Sequence, residues 1–211
     1  ADRIEDNLDG LAETLTREEG KPVSSSRAEV SRAAELFRFI ASYARTATGD
    51  TVPSSDPETF TYTFREPLGV VALVTPWNFP IATPSWKLAT ALATGNTVVF
   101  KPSSQTPMIA KRLVELLEAA GVLDGALNLV VGPGSTVGDE VTTNERIDGI
   151  SFTGSTGTGQ HIAESVTDRG IPVQTEMGGK NPLVVLPDAD LDAAADAAIA
   201  GAFGLTGQAC T

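Results

Sequence analysis

The sequence has 211 residues, and its 15 basic and 27 acidic side chains give a formal net charge of −12 at pH 7. With 41% hydrophobic residues it can bury the core of one domain or two small ones, so disorder is excluded. The acidity argues against nucleic acids and anionic membranes as partners, because both are negatively charged. One cysteine excludes an internal disulfide, and one histidine with one cysteine cannot supply a usual zinc site, so we expect no metal. No apolar run is long enough for a membrane span, and we expect a cytoplasmic protein.

The basic residues are unevenly divided, with five lysines and ten arginines. Surplus acid with little lysine is typical of proteins kept soluble at high salt, where screening weakens self-repulsion. An ordinary acidic protein from an alanine- and arginine-rich genome would have the same composition. Composition leaves both alternatives open.

The first 50 residues are predicted to be helical. Two runs of apolar residues at helical spacing are separated by the breaker Gly20-Lys21-Pro22. Residues 50–57 are polar and predict a turn. Residues 60–65 (Phe-Thr-Tyr-Thr-Phe-Arg) alternate with period two, which predicts an amphipathic strand that need not belong to the main sheet. The apolar positions are Ile4, Leu8, Leu11 and Leu15 in the first run and Ala33, Phe37, Ile40 and Ala44 in the second.

From residue 68 onward, short apolar runs alternate with helical segments. This pattern predicts an α/β fold, in which a parallel sheet buried on both faces is flanked by helices. Ligands of such sheets bind beyond the carboxyl ends of the strands. The predicted strands are 69–74, 97–100, 127–131, 149–152, 173–175 and 183–186, the predicted helices are 83–94, 106–120, 135–144, 156–167 and 190–203, and the loops that could form a site follow residues 74, 100, 131, 153 and 175.

Two of these loops place polar groups beside prolines. In residues 75–80 (Thr-Pro-Trp-Asn-Phe-Pro), a rigidly held Asn78 can donate its amide to a developing oxyanion, or it can simply cap the next helix. In residues 101–107 (Lys-Pro-Ser-Ser-Gln-Thr-Pro), Lys101 stands at a strand end before a helix N-terminus. That placement suits an anionic or ribose-bearing ligand, and a solvated loop lysine is the alternative.

Two glycine-rich stretches are candidates for binding a dinucleotide. Residues 132–138 (Gly-Pro-Gly-Ser-Thr-Val-Gly) place the third glycine one position late for the dinucleotide fingerprint, and we interpret them as a tight turn into a helix. Residues 152–159 (Phe-Thr-Gly-Ser-Thr-Gly-Thr-Gly) follow a strand and open a helix, whose N-terminal amides can bind a pyrophosphate. A glycine-rich turn alone is a weak signal.

Three further side chains are candidates for chemistry. Glu176 ends a predicted buried strand, where burial can raise a carboxyl pKa and suit it to general-base catalysis; a turn acid paired with Lys180 is the alternative. Cys210 is the only cysteine, and beside a carboxylate base and an oxyanion donor it becomes a candidate nucleophile, although a lone cysteine is usually inert. His161, the only histidine, has no nucleophile motif around it, and we expect it to be structural or on the surface.

Taken together and in this order, the loops resemble the aldehyde dehydrogenase superfamily. The matching stretches are Thr-Pro-Trp-Asn-Phe-Pro, Val-Val-Phe-Lys-Pro-Ser, Phe-Thr-Gly-Ser-Thr, Glu-Met-Gly-Gly-Lys-Asn-Pro and Gly-Gln-Ala-Cys-Thr. The resemblance implies the family's α/β cofactor domain, a Rossmann-like parallel sheet with flanking helices, here incomplete. It also implies an N-terminal helical segment and one strand of the family's oligomerisation hairpin.

The resemblance assigns roles to the matched residues. It implies that Cys210 attacks the aldehyde carbon, that Asn78 and the backbone N–H of Cys210 stabilise the oxyanion, and that Glu176 activates the hydrolytic water. Lys101 would hold the adenosine ribose, and Ser155 would contact the pyrophosphate. The implied cofactor-binding residues also include Thr75, Pro76, Trp77, Ser103, Ser104, Gly154 and Gly178.

Position 104 bears on the choice of cofactor. NAD-preferring members of the family often carry a glutamate three residues after the matched lysine, and this sequence has Ser104 there. A carboxylate would repel a 2′-phosphate, whereas a hydroxyl can form a hydrogen bond with it. The resemblance therefore implies NADP or NAD, with NADP favoured.

The stretch 203–211 bears on the substrate. It is similar to family members that oxidise 2-oxoglutarate semialdehyde (2,5-dioxopentanoate). Succinate semialdehyde and broad-range aldehyde dehydrogenases are the alternatives, as are an acylating or phosphorylating relative and an inactive dinucleotide-binding relative. The presence of Glu176 favours hydrolysis over acyl transfer, and the presence of Cys210 favours an enzyme.

The resemblance also implies a division of the chain. Residues 1–59 would form the N-terminal helical part of the cofactor domain, 60–66 the hairpin strand, 67–188 the Rossmann-like cofactor-binding domain and 189–211 the start of a truncated catalytic domain. In the family the nucleophile lies well inside the chain. We therefore expect a piece of a longer enzyme that acts on a small-molecule aldehyde and forms a homo-oligomer, a dimer or a tetramer, and the piece alone could be inactive.

Overall fold

The computed structural model describes residues 1–210, and within that range the chain forms eight α-helices and seven strands. Thr211, the last residue of the cysteine motif, lies outside the described residues. The helices are α1 (Asp2–Asp6), α2 (Leu8–Glu19), α3 (Val23–Tyr43), α4 (Ala82–Ala93), α5 (Pro107–Ala119), α6 (Asp139–Thr143), α7 (Thr156–Ser165) and α8 (Leu191–Phe203). The strands are β1 (Thr51–Val52), β2 (Thr61–Tyr62), β3 (Val70–Val74), β4 (Thr97–Lys101), β5 (Leu127–Leu129), β6 (Gly149–Gly154) and β7 (Val173–Met177).

Five strands form one parallel sheet in the order β5-β4-β3-β6-β7. The predicted α/β fold with a parallel sheet and flanking helices is confirmed, and each of these strands lies within two residues of its predicted bounds. The chain runs outward from β3 to β5 on one side and returns to add β6 and β7 on the other. The order therefore reverses between β3 and β6, and a crevice opens beyond their carboxyl ends.

The register brings the strand ends to one edge. Val74, the last residue of β3, pairs with Lys101 of β4 and with Phe152 of β6. On the far side, Glu176 of β7 pairs with Thr153 of β6. The loops that follow these residues are therefore neighbours in space, although they are distant in sequence.

Two apolar clusters fill the layers on the sheet. The larger joins α2, α3 and α5 to β3 and β4, and it contains the helical positions Ile4, Leu11 and Leu15. The smaller joins α6 and α7 to β3 and β6 around Phe152. Gly20 ends α2 in the left-handed conformation, with φ at +94°, so the predicted break between the first two helical runs is confirmed.

Four sequence expectations were wrong. The segment 183–186 is not a strand, because no other backbone among residues 1–210 pairs with it, and its four apolar side chains are exposed. The strand β7 lies at the edge of the sheet and alternates between half-buried and exposed residues, so it is not buried on both faces. Residues 51–52 form β1 rather than part of a turn, and residues 47–50 are not helical.

A small antiparallel hairpin, β1 with β2, lies apart from the main sheet. The predicted amphipathic strand is thus separate from the main sheet, although only Thr61–Tyr62 of it has strand geometry. Phe60, Tyr62 and Phe64 form a row of exposed rings on it, with neighbouring centroids 5.6 and 6.1 Å apart. Among residues 1–210, no helix is both long enough and apolar enough to cross a membrane.

Candidate active site

A cleft of about 870 Å³ lies at the carboxyl ends of the strands, within the size range of ligand pockets. Every residue that the sequence singled out for chemistry or cofactor binding lines it. From the first two loops these are Thr75, Pro76, Trp77, Asn78, Lys101, Ser103 and Ser104, and from the later loops Gly154, Ser155, Glu176, Gly178 and Cys210. The structure therefore brings the five loops to one place, and the roles of the individual residues stay predictions.

Asn78 links the first loop to the cysteine segment. Its Nδ2 donates a hydrogen bond to the backbone carbonyl of Gln208 at 2.7 Å, across 130 positions of sequence. An amide nitrogen carries two hydrogens, so this bond fixes the orientation of the group and leaves one hydrogen for another acceptor. The amide of Asn78 is thus held by a residue two positions before Cys210.

The thiol of Cys210 is exposed in the cleft. The diglycine after Glu176 lies against its backbone, since a Cβ at Gly179 would meet the carbonyl oxygen of Cys210 at 3.2 Å. The chain reaches this position through a left-handed turn, in which Leu205 and Thr206 have φ of 51° and 53°. Such a conformation is unusual for side-chain-bearing residues and costs on the order of 1–3 kcal/mol each.

Lys101 lies at the other end of the cleft and is buried. Its Nζ donates to the carbonyl of Pro102 at 3.2 Å, and burial lowers its pKa from the ordinary lysine value. The stem of the side chain passes Gly138, where an added Cβ would stand 3.5 Å from its Cε. Ser104 is exposed and lines the cleft.

The N-terminus of α7 faces the same cleft. Ser155 caps this helix, because its Oγ accepts from the backbone N–H of Thr158 at 3.4 Å and also bonds to the hydroxyl of Thr158 at 2.8 Å. The first amides of a helix have no intrahelical acceptor, so they remain available to an anionic group. Thr75 adds a buried hydroxyl that has no hydrogen-bond partner within the described part of the chain. These groups fit the phosphates and hydroxyls of a dinucleotide.

Part of the lining is not among the residues that the sequence singles out. The loop after residue 131 is predicted to be one that could form a site, and its stretch 132–138 is predicted to be a tight turn into a helix, with no site residue named. In the structure Gly134, Ser135 and Gly138 line the cleft, as do Asp139 and Thr142 just beyond them. Their position after β5, at the same sheet edge as the other loops, is the signal that points to them. His161 is exposed on α7, as expected, and it too lines the cleft.

Glu176 is the penultimate residue of β7 and is exposed, so the burial expected to raise its pKa is absent from residues 1–210. No ion pair within residues 1–210 joins Glu176 to Lys180, so the alternative of a turn acid paired with that lysine is wrong, whereas its role as a base stays a prediction. Its Oε1 accepts from the side-chain amide of Gln174 at 3.4 Å. The carboxylate therefore stands at the rim of the cleft, open to water.

A buried lysine that the sequence did not single out lies behind this rim. Lys87 on α4 donates from Nζ to the hydroxyl of Ser151 at 2.5 Å, and Ser151 donates to Oε1 of Gln174 at 2.6 Å. Burial lowers the pKa of Lys87 to about 8, and the negative charge of Glu176 partly opposes that shift. The hydrogen bonds thus connect an interior lysine to the residue that contacts Glu176.

The comparisons with known proteins agree with this geometry. The chain matches the model of the aldehyde dehydrogenase family over residues 1–211. It is 49% identical over 210 residues to the 2,5-dioxopentanoate dehydrogenase of Saccharolobus solfataricus, a match that covers 99% of this chain and 44% of that protein. It is 50% identical over 203 residues to the alpha-ketoglutarate semialdehyde dehydrogenase of Haloferax volcanii, with 96% and 42% covered. The chain spans less than half the length of these curated relatives.

The fold is also that of a solved family structure. Betaine aldehyde dehydrogenase from Staphylococcus aureus, crystallised in complex with NAD+, superimposes with a TM-score of 0.97 at 38% identity. The superposition covers all of this chain and 42% of that one. The order of the loop motifs, the sheet, the cleft and the match over the whole sequence lead to one conclusion: this chain belongs to the aldehyde dehydrogenase family.

Proposed function

We propose that the whole protein carrying this sequence oxidises an aldehyde to a carboxylate with NAD or NADP as the oxidant. The observation that carries the proposal is that the thiol of Cys210, the amide of Asn78 and the carboxylate of Glu176 line one cleft, although three separate loops supply them. A nucleophile, an oxyanion donor and a base are the three groups that acyl chemistry on a thiol requires. The names of the relatives support the same reaction.

In this mechanism the exposed thiol of Cys210 releases its proton to solvent, and the thiolate adds through Sγ to the aldehyde carbon. The alkoxide that forms accepts a hydrogen bond from the second N–H of the Asn78 amide, whose first N–H donates to the carbonyl of Gln208. NAD(P)+, when bound, would accept the hydride from the former aldehyde carbon, and a thioester would then remain on Cys210. Glu176, open to water at the rim, takes a proton from the water that attacks this thioester.

The cofactor-binding half of the cleft supports a dinucleotide. We assign the ribose hydroxyls to Lys101 and Ser104, the pyrophosphate to the first turn of α7 at Ser155, and further contacts to the buried hydroxyl of Thr75. Trp77, Pro76, Ser103, Gly154 and Gly178 would complete the lining. NADP is favoured over NAD because a hydroxyl at Ser104 accommodates a 2′-phosphate that a carboxylate would repel.

The substrate we propose is 2-oxoglutarate semialdehyde, on the strength of the two relatives named for that compound. Succinate semialdehyde and simple aldehydes are the alternatives. The test is a set of initial-rate assays of the purified whole protein with each aldehyde and each cofactor. We expect the highest kcat/KM with 2-oxoglutarate semialdehyde. A higher value with succinate semialdehyde or a simple aldehyde would reassign the substrate, and no cofactor reduction with any aldehyde would contradict the reaction.

We also propose that the whole protein is a homo-oligomer and that the β1–β2 hairpin takes part in the subunit contact. The row of three exposed aromatic rings on that hairpin supports this, since exposed apolar patches commonly mark interfaces. Light scattering of the whole protein should give the mass of a dimer or a tetramer.

A further inference from the structure

A buried ion pair holds the loop that carries Asn78. Lys21, in the turn between α2 and α3, donates from Nζ to Oε2 of Glu29 at 2.5 Å and to the backbone carbonyl of Asn78 at 2.8 Å. The side chains of Lys21 and Glu29 are 1% and 4% exposed. Neither of them lines the cleft, so neither can touch an aldehyde or a cofactor there.

The carboxylate of Glu29 holds the other end of the same loop. Its Oε1 accepts from the backbone N–H of Ile81 at 3.0 Å and of Ala82 at 3.1 Å. These amides begin α4, whose N-terminus has no cap from the residue in front of it. Glu29 on α3 therefore supplies the capping carboxylate, with the charge that a helix N-terminus favours.

Between these two ends the loop is also held at its centre. The ammonium of Lys21 lies 4.7 Å from the centroid of the Phe79 ring, within the range of a cation–π contact. The four residues 78–81 are thus fixed at a carbonyl, a ring and an amide by one pair of charges. The side chain of Asn78, at the start of this loop, reaches the cysteine segment through Gln208.

We propose that Lys21 and Glu29 are positioning residues that hold the Asn78 amide where it can donate to the oxyanion formed at Cys210. The proposal rests on the proposed function and deepens it by naming what fixes the oxyanion donor. An oxyanion donor is effective only when it is held in place before the charge develops, and a displacement of about 1 Å can cost about 100-fold in rate. Two charges buried away from water are costly unless they are well paired. Apart from an ion pair of 3.7 Å between Lys21 and Glu19 at the end of α2, the contacts of this pair are all with one loop.

The test is a double-mutant cycle in the whole protein with Lys21→Met, Asn78→Ala and the combination. The readout is the single-turnover rate of cofactor reduction per titrated Cys210 thiol, with the dissociation constant of the cofactor measured separately. We expect Lys21→Met to slow this rate about tenfold when Asn78 is present and by less than about twofold when it is alanine, without a change in cofactor affinity. Lys111→Met removes an exposed lysine on α5 and should leave the rate unchanged.

Equal slowing in the two backgrounds would show that Lys21 acts on the fold alone, which would overturn the proposal and leave the proposed function standing. An unchanged rate in Asn78→Ala alone would instead refute the oxyanion role of Asn78, and the positioning role with it. If Lys21→Met does not fold, Lys21→Met combined with Glu19→Gln and Glu29→Gln takes its place in the cycle. That combination leaves no unpaired buried charge, because it also neutralises the carboxylate of Glu19, 3.7 Å from the Nζ of Lys21. It keeps an oxygen acceptor for the amides of Ile81 and Ala82, and the same two outcomes distinguish positioning from an effect on the fold.

Discussion

Lys87 carries its ammonium into the interior beside the hydroxyl of Ser151. Burial lowers its pKa from 10.5 to about 8, and the charge of Glu176 opposes only part of that shift. Below about pH 8 the folded and unfolded forms both hold the proton, so the full penalty for burying the charge is present. Between about pH 8 and 10.5 the unfolded form alone holds it, and the free energy of unfolding should rise by about 1.4 kcal/mol per pH unit from this group.

The measurement is denaturant unfolding of the wild type and of Lys87→Met from pH 7 to 10. The free energy of unfolding of the wild type should rise relative to that of Lys87→Met as the pH rises, because the variant lacks the titrating group. Parallel curves over this range would show that Lys87 keeps an ordinary pKa.

At Ser104 the expected effect is on the choice between cofactors. Ser104→Glu places a carboxylate where the ribose of the proposed cofactor would lie, and it should weaken NADP more than NAD by repelling the 2′-phosphate. The dissociation constants of both cofactors, measured by fluorescence titration of the whole protein, give the comparison. Equal effects on NAD and NADP would show that Ser104 does not determine the preference between the two cofactors.

At the scale of elements, Gly20 sets where α2 ends and where the turn with Lys21 begins. Its φ of +94° is costly for any residue with a Cβ, whereas Gly10 lies within the same helix and has open space where a Cβ would go. Gly20→Ala should therefore lower the free energy of unfolding by about 1 kcal/mol, and Gly10→Ala should raise it by about 0.5–1 kcal/mol. Chemical denaturation of the two variants measures this, and equal shifts of the same sign would contradict the assigned helix end.

The strands and loops were predictable from sequence where a local pattern dictated them. Apolar runs bounded by helical segments located β3 to β7, and the parallel order then placed Asn78 and Glu176 at one edge. Cys210 follows no strand and reaches the same cleft through the turn after α8. The segment 183–186 has the same apolar pattern but no pairing partner among the described residues, so the pattern alone did not make it a strand.

The positioning pair could not be predicted in this way. Lys21 and Glu29 are eight positions apart, and the groups they hold lie more than 50 positions farther along the chain. No local spacing encodes such contacts, since they arise only when α3 packs against α4. The burial of Lys87 could not be predicted for a related reason. Lysine is expected to be exposed, and only the packing of α4 shows that this one is buried.

At the scale of the whole molecule, the excess of acidic over basic side chains is larger on the surface than in the sequence as a whole. Three of the five lysines, Lys21, Lys87 and Lys101, are buried, so few lysines remain to offset a net charge of −12. Self-repulsion of the surface should therefore destabilise the fold at low ionic strength. The screening length falls from about 10 Å at 0.1 M salt to about 3 Å at 1 M, so most of the increase in stability with added salt should occur below 1 M.

We expect the melting temperature to rise with KCl concentration over this range and then to level off. Differential scanning calorimetry at a series of KCl concentrations tests it. A melting temperature that does not change across the series would favour the alternative that this is an ordinary acidic protein.

We propose that Cys210 forms the bond to the aldehyde carbon and that Glu176 activates the water that later breaks this bond. The most direct measurement is rapid-mixing absorbance of the reduced cofactor in Glu176→Gln, with the Cys210→Ala variant as the control. We expect Glu176→Gln to give a burst of about one reduced cofactor per Cys210 thiol followed by almost no turnover, and Cys210→Ala to give no burst. Steady turnover at the wild-type rate in Glu176→Gln, or a burst in Cys210→Ala, would contradict it.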